Sequence, residues 1–184
     1  MSGNIIDQIK HDHLEIQTFY DNYKNAIDAE EAKKWFHQFV WELSRHSVGE
    51  ELVLYPLMAA LNQKGQDLAD EGRKDHHKVK ELLSEISKES DPVVFDQKID
   101  AIMSDLKTHI QKEESEDLVF LSDNVTPQNL DKAGKAFSMK KKIAPTRPHP
   151  GVPEKPIALE GALGLLIAPV DKFRDLFTSF PDDV

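Results

Sequence analysis

Arg45–Pro56, RHSVGEELVLYP, sets His46 and Glu50 four residues apart inside a run of apolar residues at helical spacing. Phe36, Phe39, Leu43, Leu54, Leu57 and Leu61 extend that run on both sides. The stretch is therefore predicted to be an amphipathic helix whose buried stripe contains an imidazole and a carboxylate. Four-residue spacing stacks the two groups one turn apart, roughly 5–6 Å, on one face. A buried carboxylate is costly unless paired, and a metal ion offsets that cost. A self-satisfied His–Glu hydrogen bond would also do so, and for one isolated motif it is the simpler reading. Lys107–Phe120, KTHIQKEESEDLVF, repeats the pattern: His109 and Glu113 sit in a stripe formed by Phe95, Ile99, Ile102, Leu106 and Phe120. Recurrence of a costly arrangement favours a shared ligand over two unrelated core pairs.

Working outward, Ile6, Ile9, His13, Ile16, Tyr20, Tyr23 and Ile27 step by three and four and predict a first helix ending near Asp28. His13 belongs to its buried stripe, whereas His11 falls on another face. The second helix is expected to begin within Ala29–Lys34 and to run to about Asn62, bent at Pro56 just past the Glu50 turn. Gln63–Gln66 reads as a turn around Gly65, after which Ala69, His76, Val79, Leu83 and Ile86 form a third stripe. His76 is its polar member, and His77 lies about 100° around the helix. Ser90–Asp91–Pro92 breaks the chain and supplies an N-cap and first-turn proline for a fourth helix. Short connections between these segments predict an all-α, up-down-up-down four-helix bundle over residues 1–124. In such a bundle His13 and His46 are nearly equidistant from the first turn, and Glu50, His76 and His109 match across the later turns to within about one helical turn. His13, His46, Glu50, His76, His109 and Glu113 are thus expected to converge on one layer of the core.

The 184 residues suit one domain with an appendage, and a formal charge of −10 argues against nucleic acid or an anionic membrane as partner. With no cysteine in the chain, disulfides and thiolate ligands are excluded, so any metal is bound through nitrogen and oxygen. The polar Met1–Lys10 and the lack of a long apolar run predict no secretory leader or membrane span, and so a cytoplasmic protein, monomeric or homodimeric.

A His on the first helix (HDHLEI, His13), HxxxE on the second (His46, Glu50), a His on the third (DHHKVKELL, His76) and HxxxE on the fourth (His109, Glu113) together resemble the hemerythrin-like, or HHE cation-binding, proteins. The resemblance covers roughly Ile5–Leu121. It implies two non-haem iron ions in a four-helix bundle, bridged by both carboxylates and an oxo or hydroxo group. The ligand it implies is dioxygen or hydrogen peroxide, which members of that family carry, sense or decompose. Zinc or manganese suits the same residue types but is the weaker reading, since four His and two Glu exceed what one tetrahedral ion needs. Both an oxidoreductase that turns peroxide or dioxygen over and a protein that only binds, stores or senses remain open.

The sequence departs from the oxygen-carrying hemerythrins at Lys80, where they have a further third-helix His. One iron is therefore expected to lack a protein ligand, its place taken by water, or else by His77, Glu51, Glu114 or Tyr55. Residues 125–184 are expected to form an extension docked on the bundle. Thr126–Pro127 starts a fifth helix reaching about Lys141, and a proline-rich segment follows over Ile143–Pro156. Two short apolar helices, Ala158–Ile167 and Val170–Phe177, complete the extension.

Overall fold

Side-chain caps open four helices of the computed structural model, which describes residues 3–149, 169–171, 174–176 and 178–182. Asn4 accepts from the Ile6 and Asp7 amides at the head of α1 (Ile5–Lys24), and Asp28 accepts from Glu31 at the head of α2 (Ala29–Gly49). Asn62 accepts from Gly65 for α4 (Gln63–Ile86), and Asp91 from Val93 and Val94 for α5 (Pro92–Lys112). Each cap satisfies amides that have no intrahelical partner and is worth about 1 kcal/mol. The first helix stops at Lys24, a turn short of the expected Asp28, because Asp28 is used as the cap of the next one. The stretch expected to be a turn, Gln63–Gln66, instead opens α4. Gly65 belongs in that first turn because a Cβ there would lie 2.1 Å from the Met58 carbonyl oxygen.

The second helix is not simply bent at Pro56. After Gly49 it widens into a π-helical turn, Glu50–Leu54, and resumes as α3 (Tyr55–Ala59). The fourth does the same: α5 gives way to a π-helical turn at Glu113–Asp117 before α6 (Leu118–Asn124). The Tyr55 amide bonds the Glu50 carbonyl, and the Leu118 amide bonds the Glu113 carbonyl, each five residues back. Pro56 follows the first turn, but no proline accompanies the second, so proline is not the common cause. Both turns begin at the glutamate of an HxxxE motif. Such a bulge inserts one residue and rotates the next part of the helix, so the side chain five positions on stands above the glutamate.

Helix α1 packs on α2, α3 on α4, and α4 on α5, while α7 (Pro127–Ile143) lies across α1, α2 and the first π-helical turn. One apolar cluster gathers Ile5, Ile9, Leu54, Met58, Leu118 and Phe137, and another gathers Ile16, Phe39, Leu43, Val79, Ile99 and Leu106. Along each of the four helical segments the expected His and Glu residues fall between the two clusters. Among the described residues there is no strand, and no helix is long and apolar enough to cross a membrane.

Past α7 the chain is gripped by its own C-terminal part. The Thr146 amide and hydroxyl donate to Asp171 (3.2 Å) and Asp175 (2.7 Å), Arg147 reaches Asp175 (3.2 Å) and Thr178 (2.7 Å), and His149 meets Asp171 at 2.7 Å. The Phe180 ring packs against His37 and Trp41. Of the two expected tail helices, Ala158–Ile167 lies outside the described residues, and residues 170–171 and 174–175 of the second, Val170–Phe177, are helical, as is Pro169 before it.

Candidate metal centre

Four imidazoles turn their Nε2 atoms towards two carboxylates in the layer between the apolar clusters. Glu50 stands between His46 (3.1 Å) and His76 (3.2 Å), and Glu113 between His13 (3.1 Å) and His109 (3.9 Å). Ligand atoms of His13, His46, Glu50 and Glu113 all lie within 4.8 Å of one another, as do those of Glu50, His76 and His109. These are two adjacent positions for a cation, sharing Glu50, with Glu113 beside both. All six residues named from the sequence therefore meet in one layer. His11 and His77 do not: they sit at the surface beside Glu15 (3.4 Å) and Glu81 (3.3 Å).

The outward Nδ1 atom of each imidazole meets a further carboxylate: His13 with Glu114 at 2.8 Å, His46 with Asp12 at 3.2 Å, His76 with Glu51 at 3.2 Å and His109 with Asp75 at 3.3 Å. A proton held on Nδ1 leaves the Nε2 lone pair facing inward, which is how ligating histidines are oriented. Asp12 and Asp75 had not been singled out from the sequence, and Glu51 and Glu114 only as substitute metal ligands, although a signal was there. Asp12-His13 is repeated as Asp75-His76, and Glu50-Glu51 as Glu113-Glu114. The halves α1–α2 and α4–α5 thus supply the same groups, and within the layer the site is nearly two-fold symmetric.

Two departures from that symmetry fall beside His76. Tyr55, five residues after Glu50, brings its hydroxyl to 3.1 Å from His76 Nε2, whereas the corresponding position after Glu113 is Leu118. Gly72 makes room for it, since a Cβ there would lie 2.6 Å from the Tyr55 hydroxyl oxygen. Lys80, four residues after His76, turns to Glu51 with Nζ at 2.7 Å, whereas the corresponding position after His13 is Gln17. Of the groups expected to replace the missing third-helix His, Glu51 and Glu114 hold imidazole Nδ1 atoms and His77 is outside the layer. Tyr55 alone of those side chains has its polar atom at an inward-facing nitrogen.

The residues fit a cation. Both oxygens of Glu50, both of Glu113, and the Nε2 atoms of His13 and His109 are buried with no hydrogen-bond partner. Each such orphan costs about 1–3 kcal/mol, and these orphans face one another. Burial, then the nearby Glu113 charge, pushes the Glu50 carboxyl well above its ordinary range. Glu113 is also pushed up by burial, but His13, 3.1 Å away, and the surrounding imidazoles outweigh it and hold the group low. Burial lowers His46 strongly and His76 less so, keeping both neutral with lone pairs to give. Burial would lower His109 too, yet Asp75 and Glu113 raise it. A nitrogen and carboxylate donor set without thiolate suits iron, manganese or zinc, and a bundle core with facing carboxylates is where dinuclear sites are built.

The His13–His46 side is closed by α7. Phe137 of that helix packs edge-on to His46, and Lys141 pairs with both Asp12 and Glu42.

The Hemerythrin HHE cation binding domain family matches residues 4–121 of the chain. An uncharacterised hemerythrin-like protein of Schizosaccharomyces pombe is 39% identical over 179 residues, covering 96% of this chain and 88% of that protein. A DNA nickase of a Nostoc species is 25% identical over 141 residues, covering 75% of this chain but only 39% of that protein. The crystal structure of a hemerythrin HHE cation-binding domain-containing protein from Mycobacterium kansasii has the same fold, with a TM-score of 0.67 at 20% identity over 76% of this chain and 85% of that one.

Proposed function

The chain belongs to the hemerythrin HHE cation-binding family, and on that premise we propose that its His/Glu layer holds two iron ions and turns over peroxide or dioxygen. His13 and His46 would hold one ion and His76 and His109 the other, with Glu50 and Glu113 shared between them. When bound, the iron supplies the redox capacity and an exchangeable coordination position. The chain's own residues supply the rest. Asp12, Glu51, Asp75 and Glu114 fix the imidazoles with their lone pairs inward, and the apolar clusters on either side keep bulk water out.

The observation that carries the preference for turnover is Lys80. Its ammonium has no lone pair to give and is tied to Glu51, so the His76 side is one nitrogen short. Next to that place stands the Tyr55 hydroxyl, positioned to donate a hydrogen bond or a proton to a ligand bound there. The DNA-nicking activity in the Nostoc protein's name is not carried over to this chain, which covers 39% of that protein and whose formal charge of −10 opposes binding to phosphate. Adding hydrogen peroxide to iron-loaded protein and following oxygen release and peroxide loss tests the reading. Sustained consumption is expected. A stable, reversible dioxygen complex without peroxide consumption would overturn it in favour of a binding, storage or sensing protein.

A further inference from the structure

A cavity of about 60 Å³ opens between α2 and α4 and is closed on its outer side by the end of α7 and residues 144–149. Its floor is His76 and Glu51, and its walls are Leu43, Val48, Leu52, Val79, Leu83 and Ile143. We propose that this cavity is the entry route and waiting site for an uncharged molecule of dioxygen's size, and that such a ligand reaches the His76–His109 position and not the His13–His46 position. The proposal rests on the function proposed above and adds which of the two positions an external ligand meets and by what path.

Size and polarity set the occupant. A water takes about 30 Å³ of liquid, so the cavity has room for a molecule of a few heavy atoms and not for an extended organic substrate. Six aliphatic side chains form its walls, which offer a hydrated ion little to replace its shell but cost an apolar gas nothing. Apart from Ser44 and Ser47, polarity lies at the two ends of the path: Lys140, Arg147 and His149 at the outer lip, and His76 with its Tyr55 contact and the Glu51–Lys80 pair at the floor.

Position sets the side. The near-symmetry of the layer is broken by Tyr55 and Lys80, both beside His76, and the cavity opens at that same residue. At the other position, Phe137 packs edge-on to the His46 imidazole, and a Cβ on Gly49 would already lie 2.6 Å from the Phe137 ring, so no such space opens at His46. Lys80 is held against Glu51, so its charge is neutralised at the cavity floor and its stem forms part of the wall. The outer lip is braced from outside, since Arg147 and His149 line the cavity and are held by Asp175 and Asp171.

The test uses xenon and nitric oxide, two uncharged probes. Crystals of the full chain pressurised with xenon should show it between α2 and α4 against Leu52 and Val79, with or without iron. Leu52→Trp fills the cavity from its wall. Ile143→Trp does so from the lip, where the native side chain is 42% exposed and the larger ring has solvent to extend into. Either substitution should displace xenon. In the iron-loaded, reduced protein each should slow nitric oxide binding by about an order of magnitude at unchanged iron content. Xenon found elsewhere, or against Phe137 only, overturns the proposal. So does a xenon-filled cavity whose plugging leaves the nitric oxide rate unchanged. Should the protein retain no iron, the function proposed above fails, and xenon binding still decides whether the cavity admits an apolar gas.

Discussion

Replacing Glu50 by glutamine should move the stability of the metal-free protein and its response to iron in opposite directions. Glu50 is fully buried, and neither of its oxygens nor those of Glu113 has a donor. Glutamine keeps the shape, cannot ionise and adds an amide donor that can face Glu113. Relieving one orphaned group is worth about 1–3 kcal/mol. At 2–4 °C per kcal/mol for a chain of this size, the metal-free variant should melt roughly 2–12 °C above the parent. A Leu54→Ala change beside it, which opens a cavity, should instead cost about 2–5 kcal/mol. Iron should act the other way. A ligand at a hundredfold excess over its Kd adds about 2.7 kcal/mol to stability. That increment requires the carboxylate both cation positions share, so in Glu50→Gln it should largely vanish. Anaerobic calorimetry with and without ferrous iron, alongside elemental analysis, measures both effects. A variant that keeps the parent's iron content and thermal increment, or whose metal-free form is destabilised as much as Leu54→Ala, would refute the assignment of Glu50 as a shared ligand.

Lys80→His should give the His76 side its missing nitrogen, slowing peroxide consumption and lengthening the life of any dioxygen adduct; faster peroxide consumption would contradict this. Asp117, buried beside Glu113, is driven from 3.8 up to about 7, by burial first and by the Glu113 charge second. Because the folded state favours its neutral form, the stability it contributes is complete below about pH 4 and is lost as pH rises towards 7, on the order of 2–4 kcal/mol. Asp117→Asn should therefore stabilise the metal-free protein at pH 8 and flatten its melting temperature between pH 4 and 7, and an unchanged profile would count against it. Truncation before Pro156 removes Asp171 and Asp175, which hold residues 146–149 over the cavity mouth, and Phe180, which packs on His37 and Trp41. The shortened chain should aggregate or lose iron faster to a chelator, whereas a monomer with unchanged melting and iron retention would show the extension to be a separate module.

The helices and the six converging side chains were legible because burial writes a period of 3.6 into the sequence, and a His or Glu set in that period must point where its neighbours point. Asp91-Pro92 was legible as a helix start because capping and a fixed proline φ are local chemistry. The π-helical turns were not. Nothing in EELVL or EESED marks an inserted residue, and only the glutamates' shared position in the layer connects them. On an ideal α-helix Tyr55 would stand about 140° away from Glu50 and read as packing. The wider turn carries its hydroxyl over to His76. Asp12 and Asp75 were missed, and Glu51 and Glu114 were given the wrong role, for a related reason. Each follows or precedes a core residue by one position and so falls off the buried stripe, and its imidazole partner lies on a different helix. Lys80 was legible as a missing ligand but not as the partner of Glu51, since that pair joins α4 to the first π-helical turn.

The most direct test of the central claim is the metal content of protein produced with iron in excess, measured by elemental analysis against protein concentration for the parent chain and for His46→Ala and His109→Ala. Two iron ions per parent chain are expected, with each variant losing iron because it removes a ligand from a different position of a site that shares Glu50 and Glu113. One ion per parent chain, zinc alone, or full iron content in both variants would contradict it.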